Sequence, residues 1–303
     1  MYDIIIVGGG PAGLTAAVYA RRAGKTVLVV EKNSFGGQIA FSPKVENIPG
    51  TVSISGAAFA DSLVEQAMNL GADVELETVV SVEKADSGFT VSTEEGSCFA
   101  GKSVILAVGV KHRMLGLPGE EELVGNGISF CAVCDGAFYT GQHAAMIGGG
   151  NSALQEALLL SEVCSKVTVV QNLPFFTGEK TLADALIAKD NVEVFFSTLV
   201  TGYESKNGSL TALQLQNQET GKQWTVPVDG AFLAVGLAPQ NTPFAELAQL
   251  NDYGYFDSGE ACTTRTPGVF VAGDCRSKTI RQVVTAASDG ATAAMAACRW
   301  LDQ

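Results

Sequence analysis

The chain has 303 residues, enough for about two domains of ~100–200 residues each. Only 17% of the residues are charged, 34 are glycines, and the net charge at pH 7 is −13. This acidic balance argues against general nucleic-acid binding, which needs clustered lysine and arginine. No apolar run approaches the ~18 residues of a membrane helix, and the chain opens on a buried strand with no leader before it. We therefore expect a cytoplasmic α/β enzyme that binds neither nucleic acid nor a membrane.

A first dinucleotide-binding unit is predicted at the start of the chain. An apolar strand over residues 3–8 leads into the turn Gly8-x-Gly10-x-x-Gly13, which is followed by a helix and a second strand. The glycines permit a tight turn and let the backbone approach a pyrophosphate at the N-terminus of the helix. Glu31, at the end of the second strand, is placed to bond a ribose hydroxyl.

The same pattern returns at residues 143–170, which contain a strand, the turn Gly148-x-Gly150-x-x-Ala153, a helix over residues 152–164 and a second strand over residues 166–170. At the end of such a strand an acid normally holds a ribose hydroxyl, or arginines hold a 2′-phosphate. The sequence here is instead "QNLPFF" (171–176), which contains no charged side chain. We expect a packed loop that delivers its first two residues to the ribose position and gives a 2′-phosphate no charge-assisted hydrogen bonds.

Cys131 and Cys134 form a CxxC pair just before the second glycine turn, and Asp135 follows directly. A structural zinc site needs about four Cys or His ligands, but the chain has only two histidines and no second CxxC. The pair is better interpreted as a redox dithiol. Asp135 is then either a turn or helix-cap residue or a proton donor and acceptor for the thiolates. The remaining cysteines are expected to be buried small apolar residues: Cys98, Cys164, Cys262, Cys275 and Cys298.

Two segments near residues 111–118 and 237–245 mark where the second unit is inserted into the first. The fold class is therefore predicted as α/β with two Rossmann-like dinucleotide-binding domains. The first domain is discontinuous and comprises residues 1–113 and 243–303, and the inserted domain comprises residues 114–242.

After the second seam, the segment "TPGVFVAGDCR" (266–276) predicts a strand that ends at Gly273 and Asp274. Asp274 thus falls at the carboxyl end of a strand, where open α/β sheets bind ligands. A helix is predicted over residues 281–297, and its N-terminal N–H groups could face a flavin carbonyl.

With these motifs in place, the chain resembles the low-molecular-weight thioredoxin reductases over essentially its whole length. The motifs that carry the resemblance are Gly8/Gly10/Gly13 with Glu31, "GGQ" (36–38), "VENIPG" (45–50), "CAVCDG" (131–136) and "GVFVAGDCR…RQVVTAA" (268–287). The resemblance implies a homodimeric FAD enzyme whose inserted domain carries the dithiol. It also implies that Cys134 lies beside the flavin and that Cys131 attacks the disulfide of thioredoxin.

The resemblance further assigns a set of FAD-binding residues. They are Gly8, Gly10, Pro11, Ala12, Gly13, Glu31, Gly37, Gln38, Asn47, Gly109, Gly273, Asp274, Arg281, Gln282 and Val283. A dithiol buried against the flavin leaves no room for thioredoxin, so we expect the inserted domain to swing about its two connections during turnover.

The family's NADPH-dependent members carry a His-Arg-Arg type cluster where this chain has Gln171, Asn172 and Leu173. Its loss makes the chain similar to the ferredoxin-dependent flavin thioredoxin reductases, which implies ferredoxin as electron donor and thioredoxin as acceptor. Because ferredoxins and this chain are both acidic, docking would need a local basic patch. The candidates, which are equally well explained as ordinary surface charges, are Lys111, His112, Arg113, Arg276, Lys278, Arg281 and Arg299.

Two alternatives remain open at this point. In the first, Gly148, Gly150 and Ala153 still bind a pyrophosphate and cations from another loop hold NADPH. In the second, the protein is a flavoprotein that senses or binds without turnover, although the intact CxxC-Asp sequence argues against it.

Overall fold

The computed structural model describes residues 1–41, 45 and 47–303, except for the side chains of Phe41 and Cys134. Its chain divides into two compact units. Unit 1 comprises Met1–Lys111 and Ala238–Gln303, and unit 2 comprises His112–Leu237. Within the described residues, no helix combines the length and the apolar character that crossing a bilayer would require.

Strands and helices alternate along most of the chain. Residues 1–112 contain β1 (Tyr2–Val7), α1 (Pro11–Arg22), β2 (Val27–Glu31), α2 (Gly56–Asn69), β3 (Asp73–Leu76), β4 (Val79–Ala85), β5 (Gly88–Thr93), β6 (Cys98–Leu106) and β7 (Val110–His112). Residues 113–239 contain α3 (Glu120–Leu123), β8 (Ile128–Ser129), α4 (Ala132–Asp135), β9 (His143–Ile147), α5 (Asn151–Val163), β10 (Lys166–Val170), α6 (Lys180–Ile187), β11 (Val192–Phe195), β12 (Thr198–Lys206), β13 (Ser209–Asn217), β14 (Gln223–Pro227), β15 (Gly230–Leu233) and β16 (Leu237–Pro239). The chain ends with β17 (Val269–Val271) and α7 (Val283–Leu301).

The sheet of unit 1 has the strand order β3-β2-β1-β6-β5-β4, and β17 pairs with β6 outside this path. Strands β1, β2, β3, β6 and β17 run parallel, whereas β4 and β5 form an antiparallel extension of β6. The carboxyl ends of β1, β2, β6 and β17 consequently meet at one edge of the sheet, which is where ligands bind in open α/β folds.

The core of unit 1 lies on both faces of this sheet. Along β1, Ile4 and Ile6 pack toward α1 and α7, while Ile5 and Val7 face the opposite cluster. Such alternation follows from the two-residue period of a strand. The helix predicted over residues 281–297 is α7, which is rich in small residues. A Cβ at Gly290 of this helix would clash with the carbonyl oxygen of Ala12 in α1. Small residues therefore let α7 lie close to the helix that follows the first glycine turn.

Unit 2 has a parallel sheet of order β11-β10-β9-β15-β8 and a separate antiparallel sheet β12-β13-β14. One face of the parallel sheet packs on α5 and α6 through Met146, Val169 and Phe232. The other face packs on the antiparallel sheet through Ile147 and Leu233. The predicted α/β architecture with two Rossmann-like sheets is confirmed.

The two segments that connect the units, β7 and β16, pair with each other in a two-stranded sheet. The chain thus enters and leaves unit 2 through neighbouring strands.

Candidate functional site

The first glycine turn connects β1 to α1 and has no room for side chains. Gly8 has a φ of +107°, and a Cβ there would clash with the Ala107 carbonyl oxygen. A Cβ at Gly13 would clash with the Gly8 carbonyl oxygen. At Gly10, by contrast, a Cβ would have no neighbour closer than 4.0 Å, so the space before the first turn of α1 is open. Pro11 is the first residue of α1, where its missing N–H costs nothing.

Glu31 ends β2 beside this turn and is only 9% exposed. Its Oε2 accepts the Gly9 N–H at 2.7 Å, and its Oε1 accepts the Asn33 N–H at 3.1 Å. Two backbone donors thus hold the carboxylate at the strand end. Each carboxylate oxygen keeps a lone pair for a hydroxyl donor, which is what a ribose would supply.

Asp274 lies just after β17, at the same sheet edge, and follows Gly273, whose φ is +84°. Burial raises the pKa of the Asp274 carboxyl. Its Oδ1 atom is enclosed and has no hydrogen-bond partner among the described residues. Buried polar atoms are normally paired, so this oxygen is suited to accept a hydroxyl of a bound group. Together with the open space at Gly10 and the held carboxylate of Glu31, it fits a dinucleotide cofactor.

The remaining predicted cofactor residues are joined by hydrogen bonds around α7. Asn47 Nδ2 donates to Gln282 Oε1 at 3.0 Å, and Gln282 caps the helix that begins at Val283. Arg281 Nε donates to the Asp274 carbonyl oxygen at 3.2 Å, and its guanidinium lies 4.1 Å from the ring centre of Tyr255.

Near the first glycine turn, Gln38 Nε2 donates to the Val110 carbonyl oxygen at 2.7 Å. Gly37 and Gly109 have φ angles of +59° and +63°, and a Cβ at Gly109 would meet no neighbour within 4 Å. Ala12, on the first turn of α1, is buried.

Asp289, on α7, is a residue that sequence reasoning missed. Its Oδ2 accepts the Gly273 N–H at 3.1 Å and the Lys278 ammonium at 2.8 Å, and lies 3.6 Å from Arg276 Nε. A lone acid within the small apolar helix "AASDGATAA" was the available signal. This cluster fixes the Gly273–Asp274 turn.

The cluster also corrects the expected basic patch. Arg276 is 6% exposed and Lys278 is engaged with Asp289, so neither presents its charge at the surface of unit 1. Arg281 is half-buried against Tyr255. The exposed members of the predicted set are Lys111, His112, Arg113 and Arg299.

The second glycine turn, between β9 and α5, repeats the backbone of the first. Gly148 has a φ of +132°, and a Cβ there would clash with the Ala234 carbonyl oxygen. The side chain beyond β10 differs, because Gln171 is 3% exposed and lies against Gly149. Its Nε2 donates to the Phe175 carbonyl oxygen at 3.0 Å, and its Oε1 accepts the Asn172 N–H at 3.1 Å.

Gln171 turns inward, and its amide forms hydrogen bonds with the backbone of its own loop. The structure corrects one expectation about this loop. The loop is not packed throughout, because Leu173 and Phe175 are 38% and 58% exposed. Phe176 is the half-buried member and contacts Phe196 edge-on at 4.9 Å between ring centres.

Cys131 directly precedes the short helix α4, which contains the rest of the CxxC sequence and packs against α5. Cys131 is disulfide-bonded. The side chain of Cys134, predicted to lie beside the flavin, is outside the described residues. Asp135 Oδ2 accepts a hydrogen bond from the Ser129 hydroxyl at 2.6 Å.

Two neighbours of the dithiol were missed by sequence reasoning. Ser129 ends β8 and is 6% exposed, and Glu156, on α5, accepts the Ala132 N–H at 2.9 Å. Burial raises the pKa of Glu156. Glu156 interrupts the apolar pattern of its helix, which was a usable signal, whereas Ser129 carried none.

The other cysteines are free, and four of them are buried as predicted. Cys98 was predicted to be buried but is exposed. The reason is its place at the start of β6, in the antiparallel extension opposite Ser92, where the strand has not yet entered the core. Among the described residues, no group of three or more His, Cys, Asp or Glu could hold a metal ion.

The family, the sequence relatives and the solved structure that match this chain are all disulphide oxidoreductases. The model of the pyridine nucleotide-disulphide oxidoreductase family matches residues 2–290. The thioredoxin reductase of Treponema pallidum is 37% identical over 99% of this chain and 97% of its own length. A bifunctional thioredoxin reductase/thioredoxin of Mycobacterium leprae is 40% identical over 99% of this chain, which spans 66% of that protein. The crystal structure of Lactococcus lactis thioredoxin reductase superposes with a TM-score of 0.94 at 32% identity, covering 100% of this chain and 99% of that one.

Proposed function

The chain belongs to the thioredoxin reductases of the pyridine nucleotide-disulphide oxidoreductase family, and from that premise we propose that it reduces thioredoxin with electrons taken from ferredoxin. The observation that carries the choice of donor is Gln171. Its side chain is buried on its own loop, at the strand end where arginines would hold a nucleotide's 2′-phosphate.

The cofactor is FAD. It can take electrons singly from an iron–sulfur protein and pass them on as a pair. We assign it to unit 1. There Gly8, Gly10 and Gly13 keep the backbone free for the pyrophosphate, and the held carboxylate of Glu31 accepts from the ribose. Asp274 offers its unpaired Oδ1 to a cofactor hydroxyl.

The dithiol is assigned to Cys131 and Cys134 of unit 2. Two electrons and two protons open their disulfide to two thiols. The Cys131 thiolate then attacks the disulfide of thioredoxin, forming a mixed disulfide and releasing one thioredoxin thiolate. The Cys134 thiolate breaks the mixed disulfide, which restores the Cys131–Cys134 bond and frees the second thiolate. Asp135 takes protons from the enzyme thiols and returns them to the departing thiolates.

Cysteine variants test this assignment. Cys131→Ser should abolish thioredoxin reduction while flavin reduction by the donor continues, and Cys134→Ser should block transfer from flavin to disulfide. Cys98→Ser is the matched control, because the Cys98 thiol is free and exposed and does not belong to the CxxC pair. Normal thioredoxin turnover in either dithiol variant would rule the assignment out.

The donor proposal rests on charge. From Gln171 the next basic residue is Lys180, and its ammonium is held by Asp184 at 2.5 Å. Losing two charge-assisted contacts, each worth ~1.5–3 kcal/mol, weakens NADPH binding by roughly two to four orders of magnitude at ~1.4 kcal/mol per tenfold. A micromolar site would then become millimolar.

Where ferredoxin docks is constrained by the charge of unit 2. Residues 112–237 contain 13 Asp and Glu but only 6 Lys and Arg, a balance of 6 − 13 = −7. An acidic partner is therefore attracted only by a local basic cluster. Lys111 and Arg113 are exposed and two residues apart, and we assign the contact to them. His112 lies between them, but burial lowers its pKa and so favours its neutral form.

A second candidate donor is NADPH. It is favoured by the family description, which names pyridine nucleotides, and by the intact glycine turn at Gly148. Anaerobic stopped-flow separates the two candidates by following flavin absorbance with NADPH, NADH and reduced ferredoxin in turn. A thioredoxin reductase that accepts NADPH serves as the positive control.

We expect stoichiometric bleaching by reduced ferredoxin in two one-electron steps and none by micromolar NADPH or NADH. Rapid bleaching by micromolar NADPH would refute ferredoxin dependence and leave the thioredoxin reductase assignment standing. We also propose a homodimer, which sedimentation should show as twice the chain mass of 31.5 kDa.

A further inference from the structure

The Ser129 hydroxyl lies between the backbone of Cys131 and the carboxylate of Asp135. Ser129 Oγ accepts the Cys131 N–H at 3.1 Å and donates to Asp135 Oδ2 at 2.6 Å. The side chain is almost fully buried, at 6% exposure. One hydroxyl thus links the first cysteine of the dithiol to the acid that follows the second.

A second acceptor is within reach of the same hydroxyl. The Cys131 carbonyl oxygen lies 3.5 Å from Ser129 Oγ and already accepts the Asp135 N–H at 3.1 Å. A serine hydroxyl has one hydrogen and gives it to one acceptor at a time. With Asp135 ionised, the short bond to the carboxylate takes that hydrogen. When Asp135 carries a proton on Oδ2, the carboxyl becomes a donor and the serine hydrogen turns to the Cys131 carbonyl oxygen.

We propose that Ser129 is a positioning residue for proton transfer at the dithiol, an inference that rests on the proposed thiol–disulfide exchange. It holds Asp135 by Oδ2, and the other carboxylate oxygen, Oδ1, then exchanges protons with the thiols. Its own bonds change only by rotation of the hydroxyl, since the proton moves between a thiol and Asp135. When Asp135 gains or loses a proton, the Ser129 hydroxyl therefore changes its hydrogen-bond acceptor between the Asp135 carboxylate and the Cys131 carbonyl oxygen. Ser129 itself neither gains nor loses a proton.

Two other ionisable groups border this turn. Glu156, from α5, accepts the Ala132 N–H. Tyr139 lies in the following 3₁₀ helix, and its pKa is raised by burial and then by the carboxylates of Asp135 and Asp229. The hydrogen bond that the structure records at the Asp135 carboxylate comes from Ser129.

The experiment compares holoenzyme variants that keep or lose the hydroxyl. Ser129→Ala and Ser129→Val remove the hydroxyl. Ser129→Thr keeps it, and because threonine has nearly the same shape as valine, the two variants differ mainly in the hydroxyl. Ser161→Ala is the matched control, because Ser161 is also buried and donates to a backbone carbonyl of its own helix, Leu158, at 2.6 Å. FAD content and chemical reduction of the flavin are measured first, followed by the rate at which reduced enzyme reduces oxidised thioredoxin.

We expect Ser129→Ala to slow exchange about tenfold, the loss of one hydrogen bond to a charged group, with FAD content unchanged. Ser129→Thr should exceed Ser129→Val by a similar factor, and Ser161→Ala should match the wild type. In the Asp135→Asn background, whose own loss is ~10²–10⁴-fold, Ser129→Ala should add less than about twofold.

Equal rates in the threonine and valine variants would overturn the proposal, as would a full tenfold loss in the Asp135→Asn background. The threonine–valine pair also decides the matter if the alanine variant does not fold. If the wild type fails to reduce thioredoxin, the proposed function is wrong, but the same variants still test Ser129 on a small aromatic disulfide such as Ellman's reagent.

Discussion

The glycine turn of unit 1 and that of unit 2 share one backbone design. Gly8 and Gly148 both have positive φ angles, +107° and +132°. Each packs so closely on a carbonyl of a neighbouring segment, Ala107 or Ala234, that no side chain would fit. The backbone that carries the chain from strand into helix is therefore the same in both units.

The side chains at the ends of the second strands differ. In unit 1, the Glu31 carboxylate lies beside the turn and accepts two backbone N–H groups. In unit 2, Gln171 covers Gly149 and uses its amide on the backbone of Asn172 and Phe175. The same glycine turn thus accompanies two different strand-end side chains, and we expect the strand-end side chain to decide which ligand is held.

The largest expected effect comes from returning charge to the second unit. Asn172 and Leu173 are exposed, so the double variant Asn172→Arg/Leu173→Arg should fold and gain two charge-assisted phosphate contacts. NADPH affinity should rise by roughly two to four orders of magnitude, measured by fluorescence titration. NADH, which lacks the 2′-phosphate, should gain little.

Leu199→Arg, at an exposed leucine elsewhere in unit 2, is the control for added charge alone. An equal gain for NADPH and NADH, or an equal gain in the control, would show that the strand end is not the specificity determinant.

A smaller effect is expected at the third position of each turn. Gly13→Ala places a Cβ against the rigid Gly8 carbonyl oxygen and should cost about 3 kcal/mol, the upper part of the overpacking range, with loss of bound FAD. Ala153→Gly, at the matching position of unit 2, should cost only ~1 kcal/mol of helix propensity. Urea unfolding and FAD content measure both, and equal costs would contradict the comparison.

Exchanging the side chains of Glu31 and Gln171 should have an effect smaller than that of Gly13→Ala. Glu31→Gln removes the charge that accepts from Gly9 and from the ribose, and should weaken FAD binding about ten- to a hundredfold. Gln171→Glu removes the donor to the Phe175 carbonyl and should destabilise the protein by ~1–3 kcal/mol.

For Gln171→Glu the loss should be larger at pH 8 than at pH 4, because only the ionised carboxylate is costly to bury. Denaturant titrations at the two pH values check this, and FAD retention confirms that unit 1 is unaffected. A pH-independent loss would mean that the side chain had turned to solvent.

The smallest effect concerns Asp3 and His143, which lie at the starts of β1 and β9. The Lys102 ammonium, together with Thr26, lowers the pKa of Asp3 to about 2. Because this folded-state pKa lies below the unfolded value of ~3.9, the stabilisation is present above pH ~4 and is lost as the pH falls toward 2. Asp3→Asn should therefore cost about 1 kcal/mol at pH 7 after solvent screening, and progressively less below pH 4.

His143 occupies the corresponding position in unit 2, where burial lowers its pKa. Its neutral form is favoured by folding, so its stabilisation is present above the unfolded pKa of ~6.5 and is lost as the pH falls below it. Unit 2 should therefore weaken at a higher pH than unit 1, and thermal scans of wild type and Asp3→Asn between pH 7 and 3 test the order.

Most of the fold was predictable because its signals are local. The strand predicted over residues 166–170 is β10 itself, and the helix predicted over 152–164 is α5, shifted by one residue. In both, the period of apolar residues already specifies the element. The glycine turns were likewise readable, since a strand, a turn and a helix follow one another directly.

What could not be predicted depends on residues distant in sequence. The inward turn of Gln171 depends on the space above Gly149, and the burial of Lys278 depends on Asp289 reaching back from α7. Ser129 precedes the dithiol by two residues, yet its bond to Asp135 requires the backbone turn of α4. Cys98 is different, because its polar neighbours Glu95 and Ser97 already indicated a position outside the core.

The discontinuity of unit 1 has a consequence for synthesis. Unit 2 is one continuous segment and is complete once residue 237 has been made. Unit 1 must wait for β17 to pair with β6, as Val269 does with Val104, and for α7 to cover α1. The later unit in the sequence is thus the first to close. Limited proteolysis of ribosome-bound chains in which residues up to 260 have left the exit tunnel should find unit 2 protected. Until the end of the chain emerges, the sheet of unit 1 lacks β17 and its apolar residues are not covered by α7. Unit 1 is therefore the part of the chain most prone to aggregate during translation.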